Sequence, residues 1–182
     1  MKKIGLVLIA AALLLTACTK EEWTDYLVPD DKQALYTFEQ IVSAIEAQDK
    51  TALKNLFSQN AQKEAEGLDK SIDAFFSLFE GEEISFEQDV GIGVSKKVDE
   101  GKIKKILNVP YEINTDSQKF YAVVLEYVVD TFGPDNVGIE CIYIIHADKW
   151  ESTFVYRGDG KWIPGIHIDK ADEEDSEYSD VG

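Results

Sequence analysis

An α+β domain, with N-terminal helices packed on one face of a curved antiparallel sheet, is the fold class that the sequence predicts. Two observations carry this expectation. Apolar residues recur at three- and four-residue steps as far as about Glu80, and at two-residue steps from Glu82 onward. The later segments are also joined by short turn signals such as Asp99-Glu100-Gly101 and Gly158-Asp159-Gly160, which suit hairpins rather than the long crossovers of a parallel sheet.

Taken in order, residues 1–17 are set aside as a signal peptide. Lys2 and Lys3 make a basic start, and the apolar stretch Ile4 to Leu15 is too short to span the ~30 Å hydrocarbon layer of a membrane. Residues 18–30 read as a polar tether, interrupted by Pro29 and without a sustained period. Within it, Trp23, Tyr26 and Leu27 are suited either to dock on the domain or to lie at a membrane interface. Residues 31–170 form the single domain, and residues 171–182, acidic and with no basic side chain, read as a solvated, disordered tail.

Within the domain, a first helix is expected from Asp30 or Asp31 to about Gln48, because Leu35, Phe38, Ile41, Val42 and Ile45 form one apolar stripe. Asp49 is placed to cap a second helix over Lys50–Phe57, with a further turn or two over Ala61–Glu66. A last helix over Leu68–Glu80 carries Ile72, Phe75, Phe76 and Phe79 and stops at Gly81. Strands follow: one with Ile84, Phe86, Val90, Ile92 and Val94, and a second with Ile103, Leu107, Val109, Tyr111 and Ile113 on one face. Lys119–Thr131 is almost continuously apolar, as a central strand covered on both sides would be. Val137–Ala147 comes next, and Trp150–Tyr156 and Lys161–Ile168 are read as the closing hairpin. Gly91-Ile92-Gly93 lacks the third glycine of a dinucleotide site and is read as strand.

Charge and composition exclude several function classes. The formal net charge of −17 becomes −19 once Lys2 and Lys3 leave with the leader, so nucleic acid is rejected as a partner and the surface is expected to stand off from anionic lipid. Phosphate-loop, nucleophile-elbow and Cys/His-cluster motifs are absent from the sequence, and no cofactor or metal is expected. Cys141 lies in an apolar strand, where it suits a small buried hydrophobe.

Two resemblances add to this reading. Leu15-Thr16-Ala17-Cys18, following a basic start and a short apolar core, resembles the lipobox of bacterial lipoproteins. It implies that Cys18 becomes the first mature residue, carries lipid on its sulfur, and anchors the chain at the extracytoplasmic face of the cell membrane. The stretch Ala44-Ile45-Glu46-Ala47-Gln48-Asp49-Lys50-Thr51-Ala52-Leu53-Lys54-Asn55-Leu56-Phe57 resembles the first helix pair of the nuclear transport factor 2-like superfamily, a cone of helices and bent sheet. The ending Gly160-Lys161-Trp162-Ile163-Pro164-Gly165-Ile166 is similar to the last strand of an uncharacterised lipoprotein group of low-GC Gram-positive bacteria. That superfamily holds isomerases, dehydratases and cyclases beside non-catalytic domains, and its sheets often pair in homodimers. A cystatin-like helix-and-sheet lipoprotein is the alternative fold.

Strand parity indicates which side chains face the cone. It groups Tyr121, Val123, Leu125, Tyr127 and Val129 as an inward face, with Ile139, Cys141, Tyr143 and Ile145 on the next strand, and sends Glu126, Asp130, Glu140, His146 and His167 outward. Tyr121, Tyr127, Tyr143 and Trp162 are then the candidate ligand-binding residues, and no residue is assigned a catalytic role. The expectation is a non-enzymatic module that binds an envelope protein or a small apolar ligand; the alternative is a lipid-anchored isomerase, dehydratase or cyclase working in the cone.

Overall fold

The computed structural model describes residues 23–89, 91–149 and 162–168. Cys18, the strand expected over 150–156, its Gly158-Asp159-Gly160 turn and the acidic tail lie outside the described residues.

Among the described residues, a helical turn over residues 23–27 and four longer helices precede the sheet. The first of the four, α1, runs Asp30–Glu46; of its expected stripe Phe38, Ile41, Val42 and Ile45 are buried, whereas Leu35 is exposed and Ala34 lies inward in its place. Asp30 and Asp31 sit in its first turn rather than at the cap, which is Pro29. Acidic side chains there favour the positive end of the helix dipole. Residues 23–27, expected as featureless tether, are helical. The short helix α2, Lys50–Leu56, starts where Asp49 accepts from the Ala52 amide at 2.8 Å, as its sequence predicts. Ser58 does the same for α3, Gln59–Glu64, through the Ala61 amide. The last, α4, is Leu68–Ser77, with Leu68, Ile72, Phe75 and Phe76 buried.

The strand expected over residues 84–94 is two strands, β1 (Ser85–Gln88) and β2 (Gly93–Asp99), which pair in succession along the 13-residue β3, Lys102–Asn114. β2 and β3 meet in a two-residue turn in which Glu100 and Gly101 both have positive φ, the geometry that matches strand twist. Beyond β3 lie β4 (Lys119–Asp130), β5 (Gly138–His146) and β6 (Gly165–Ile168). All pairs are antiparallel except β5–β6, which is parallel, so the sheet is mixed and not purely antiparallel as expected. The sequence of β6 carries no mark of its direction; the alternation of so short a strand is the same read either way, and the small per-residue advantage of antiparallel pairing does not decide it over four residues.

The main core lies between the helices and one face of the sheet. Phe38, Phe75, Phe76 and Phe79 meet Leu107, Val109, Tyr111, Phe120, Val124, Ile142 and Ile166 there. A smaller cluster of Leu125, Cys141 and Tyr143, with Ile106 and Trp162 against it, lies on the opposite face.

The candidate functional site

Directly paired residues share a face, so the register decides what each side of the sheet presents. Phe120 opposite Ile113, Ala122 opposite Tyr111, Val124 opposite Val109 and Glu126 opposite Leu107 all point at the helices. Tyr121, Val123, Leu125 and Tyr127 are therefore one face, but it is the face away from the helices, and Val129, expected with them, lies opposite Lys105 on the other side. This corrects the parity reading. β4 is apolar on both sides, so alternation groups its residues without saying which group the helices cover.

Two bulges redistribute the polar groups. An extra residue, Val128, separates the pairs Tyr127–Ile106 and Val129–Lys105, and so puts Asp130, opposite Lys104, on the other side from Glu126. Asp130 is buried, accepts from the Phe132 and Gly133 amides and from Asn136, and pairs with Lys104 at 3.2 Å. Burial alone would raise its pKa, but the bonds from Asn136, Lys104, Gly133 and Phe132 together hold it below the usual carboxylate range. A second bulge, at Glu140, sends Ile139 to the helix side and Cys141 to the outer side. His146 lies against Phe120 on the helix side, whereas His167 stacks on Tyr143 on the outer side. The five groups expected to share one outward face thus do not share one.

Under α1 sits a polar cluster that parity did not reveal. Glu126, 5% exposed, accepts from the Thr37 hydroxyl at 2.6 Å. Burial pushes its carboxyl up to about 7, opposed by the Thr37 bond and the charge of Lys105. Tyr111 donates to the Ala34 carbonyl at 2.8 Å and stacks on Phe38; burial, then the Glu126 charge, hold its hydroxyl protonated. Lys105, fully buried, donates to the Val28 carbonyl at 2.7 Å and pairs with Asp30 at 2.8 Å. Its position between Ile103 and Leu107 on the buried parity of β3, and that of Glu126 inside the longest apolar run, were the legible signals for this cluster.

The outer face carries the candidate ligand-binding residues. Tyr127 and Trp162 line an open groove of about 340 Å³ together with Val94, Ser95, Ile106, Asn108 and Leu125. Tyr143 meets the Trp162 ring edge-on at 5.6 Å, and its hydroxyl accepts from the Ile163 amide at 3.3 Å. Tyr121 shares the face but not the groove; Lys119 Nζ lies 5.3 Å from its ring. The structure therefore brings Tyr127, Tyr143 and Trp162 together and leaves Tyr121 apart. Trp162 is half-buried. Among the described residues no set of His, Cys, Asp and Glu side chains converges to hold a metal ion.

Comparison with known proteins gives one family. No curated protein matches the chain. The family model of a domain of unknown function, DUF5104, matches residues 40–147, from the second half of α1 through β5, and so includes Tyr111, Glu126 and Asp130. That span is more than half of the chain, and the protein belongs to the DUF5104 family.

Proposed function

We propose that this protein is an extracytoplasmic lipoprotein, anchored in the cell membrane through lipid on Cys18, whose cone-like domain binds a small apolar ligand or an apolar protein segment without catalysing a reaction. The observation that carries the binding role is the outer groove: concave, largely apolar, bordered by two aromatic side chains, and offering Ser95 and Asn108 as polar contacts. The anchor rests on Leu15-Thr16-Ala17-Cys18 behind a short apolar core. Two acyl chains would hold it stably where a single one would not. A helix-then-sheet order with the helices on one face is what a nuclear transport factor 2-like domain would have, and the pairing of such sheets makes a homodimer part of the proposal.

An enzyme working in the cone is the second reading, and Glu126 is the observation that favours it, being a buried carboxyl with a pKa near neutrality. A general base must reach substrate. Glu126 is instead closed in beneath α1 and engaged by Thr37, which favours a structural role.

Two measurements test the proposal. Cys18→Ala should abolish incorporation of radiolabelled palmitate, and unchanged labelling would end the lipoprotein assignment. The neutral apolar dye N-phenyl-1-naphthylamine should bind the wild-type protein, and Ser95→Trp, which adds an indole to the exposed edge of the groove, should weaken that binding at least ~10-fold, as loss of about 1.4 kcal/mol would. Equal affinity in the variant would remove the groove as the site.

A further inference from the structure

The charge of the whole chain predicts that it stands off from anionic lipid, but the charge is not evenly placed. The β2–β3 hairpin carries five lysines, of which Lys96 and the buried Lys105 are paired with Asp30 and Lys104 with Asp130, so that Lys97, 3.5 Å from Asp99, and Lys102 are the cations it turns to solvent, in a chain of net charge −17. The other end of β3 is acidic. Glu82 accepts from Ser117 there, with Glu83 and Asp116 beside them in sequence. A 13-residue strand separates the two ends by roughly 40 Å at ~3.3 Å per residue.

The hairpin end also holds the start of α1. Lys96 pairs with Asp30 at 3.0 Å, and Lys105 holds both Asp30 and the Val28 carbonyl. The helical turn over residues 23–27 precedes this point directly and exposes Leu27 at 73% and Trp23 at 38%. On the hairpin, Val98 is 55% exposed, and Lys97 and Lys102 lie over the Phe132 ring at 4.5 and 5.6 Å. Only four residues lie between Cys18 and Trp23, and the five steps from one to the other span at most ~18 Å when fully extended. A lipid on Cys18 therefore keeps this end of the domain beside the bilayer, within about two Debye lengths at 0.1 M salt.

We propose that the turn over residues 23–27 and the β2–β3 hairpin form a membrane-facing surface, in which Lys97 and Lys102 contact anionic phospholipid headgroups while Trp23 and Leu27 enter the interface. The surface orients the domain with its acidic end away from the bilayer, since like charge is repelled there and tryptophan prefers the headgroup level. It rests on the lipid anchor proposed above. The edge strand β2 gives the lysines a second use, because lysine on an exposed edge discourages pairing with another sheet.

The test uses the full lipidated protein, purified from membranes and reconstituted in vesicles of phosphatidylcholine with or without phosphatidylglycerol. A nitroxide is placed by Val98→Cys or, at the far end, by Asp116→Cys, and its collisions with a nickel-chelating lipid are measured. Cys141 is fully buried and out of reach of the reagent. Collision at residue 98 should exceed that at residue 116 several-fold in vesicles containing phosphatidylglycerol. The difference should shrink at 1 M salt, where the Debye length is ~3 Å, and in the Lys97→Glu, Lys102→Glu double variant. Equal collision at the two sites in protein that still floats with the vesicles would overturn the surface while leaving the anchor intact. A difference that ignores salt and phosphatidylglycerol would overturn the headgroup assignment. Protein that fails to float, with Cys18 reactive to a thiol reagent, would instead overturn the anchor on which the surface rests.

Discussion

Gly138→Ala is expected to destabilise the domain by about 4 kcal/mol, the sum of a backbone term and a packing term of roughly 2 kcal/mol each. Gly138 opens β5 with φ +122°, a conformation that side-chain-bearing residues rarely adopt. A Cβ there would stand 2.9 Å from both the Leu56 carbonyl oxygen and the Ser58 amide nitrogen, which are backbone atoms that no rotamer change can move aside. The approach is close because the junction between α2 and α3 adds a bridge to the sheet: Phe57 pairs with Ile139, and the Ser58 amide donates to the Ile139 carbonyl at 2.9 Å. Pushing the two apart would strain that bond and the Ser58 cap of α3 together. Chemical denaturation reads the effect as a lower midpoint at unchanged slope; a midpoint within error of wild type would show that the helix junction is free to move away from β5.

The pH dependence of stability should bear a signature of Glu126 running opposite to that of most carboxylates. Its folded pKa is raised from 4.5 to about 7, so between these values the folded protein holds a proton that the unfolded chain has released. Stability then falls as pH rises: the contribution is fully present below about pH 4.5 and is lost through about pH 7. A shift of this size corresponds to about 3 kcal/mol. Asp30 and Asp130, whose pKa values are lowered, contribute the reverse, stability that is present at neutral pH and lost on acidification. Comparison with Glu126→Gln isolates the one group, because the others titrate alike in both proteins. The substituted amide can still accept from Thr37 and carries no charge, so the variant should gain on wild type by about 3 kcal/mol between pH 4 and pH 8. Parallel stability curves over that range would mean that Glu126 is ionised in place, with Lys105 as its counter-charge.

How far the sequence alone carried the description depends on the element. The helices were legible because their signals are local. The stripe from Phe38 to Ile45, the Asp49 cap and the burial of Ile72, Phe75 and Phe76 in α4 each follow from the spacing of a few neighbouring side chains, although the same spacing put the exposed Leu35 inward. The α+β class and the central place of β4 were legible for the same reason, as was the Asp99–Lys102 turn, where Glu100 and Gly101 both take positive φ. The candidate site was legible only in part. Alternation put Tyr121 and Tyr127 on one face of β4, and Cys141 and Tyr143 on one face of β5. It did not separate Trp162 from Ile166, and it is blind to which side of a doubly apolar strand the helices will cover. That choice is made by non-local packing, where Phe38, Phe75 and Phe79 meet Tyr111 and Phe120. The bulges at Val128 and Glu140 insert single residues that leave no mark in composition, and each moves every later side chain of its strand to the other face. The parallel pairing of β6, the burial of Glu126 and Lys105, and the gathering of the hairpin lysines beside the start of α1 were decided only in the tertiary structure. The polar contacts of Glu126, Lys105 and Lys96 join residues 66 to 89 positions apart in the chain, and no local pattern records a contact that the chain must fold to make.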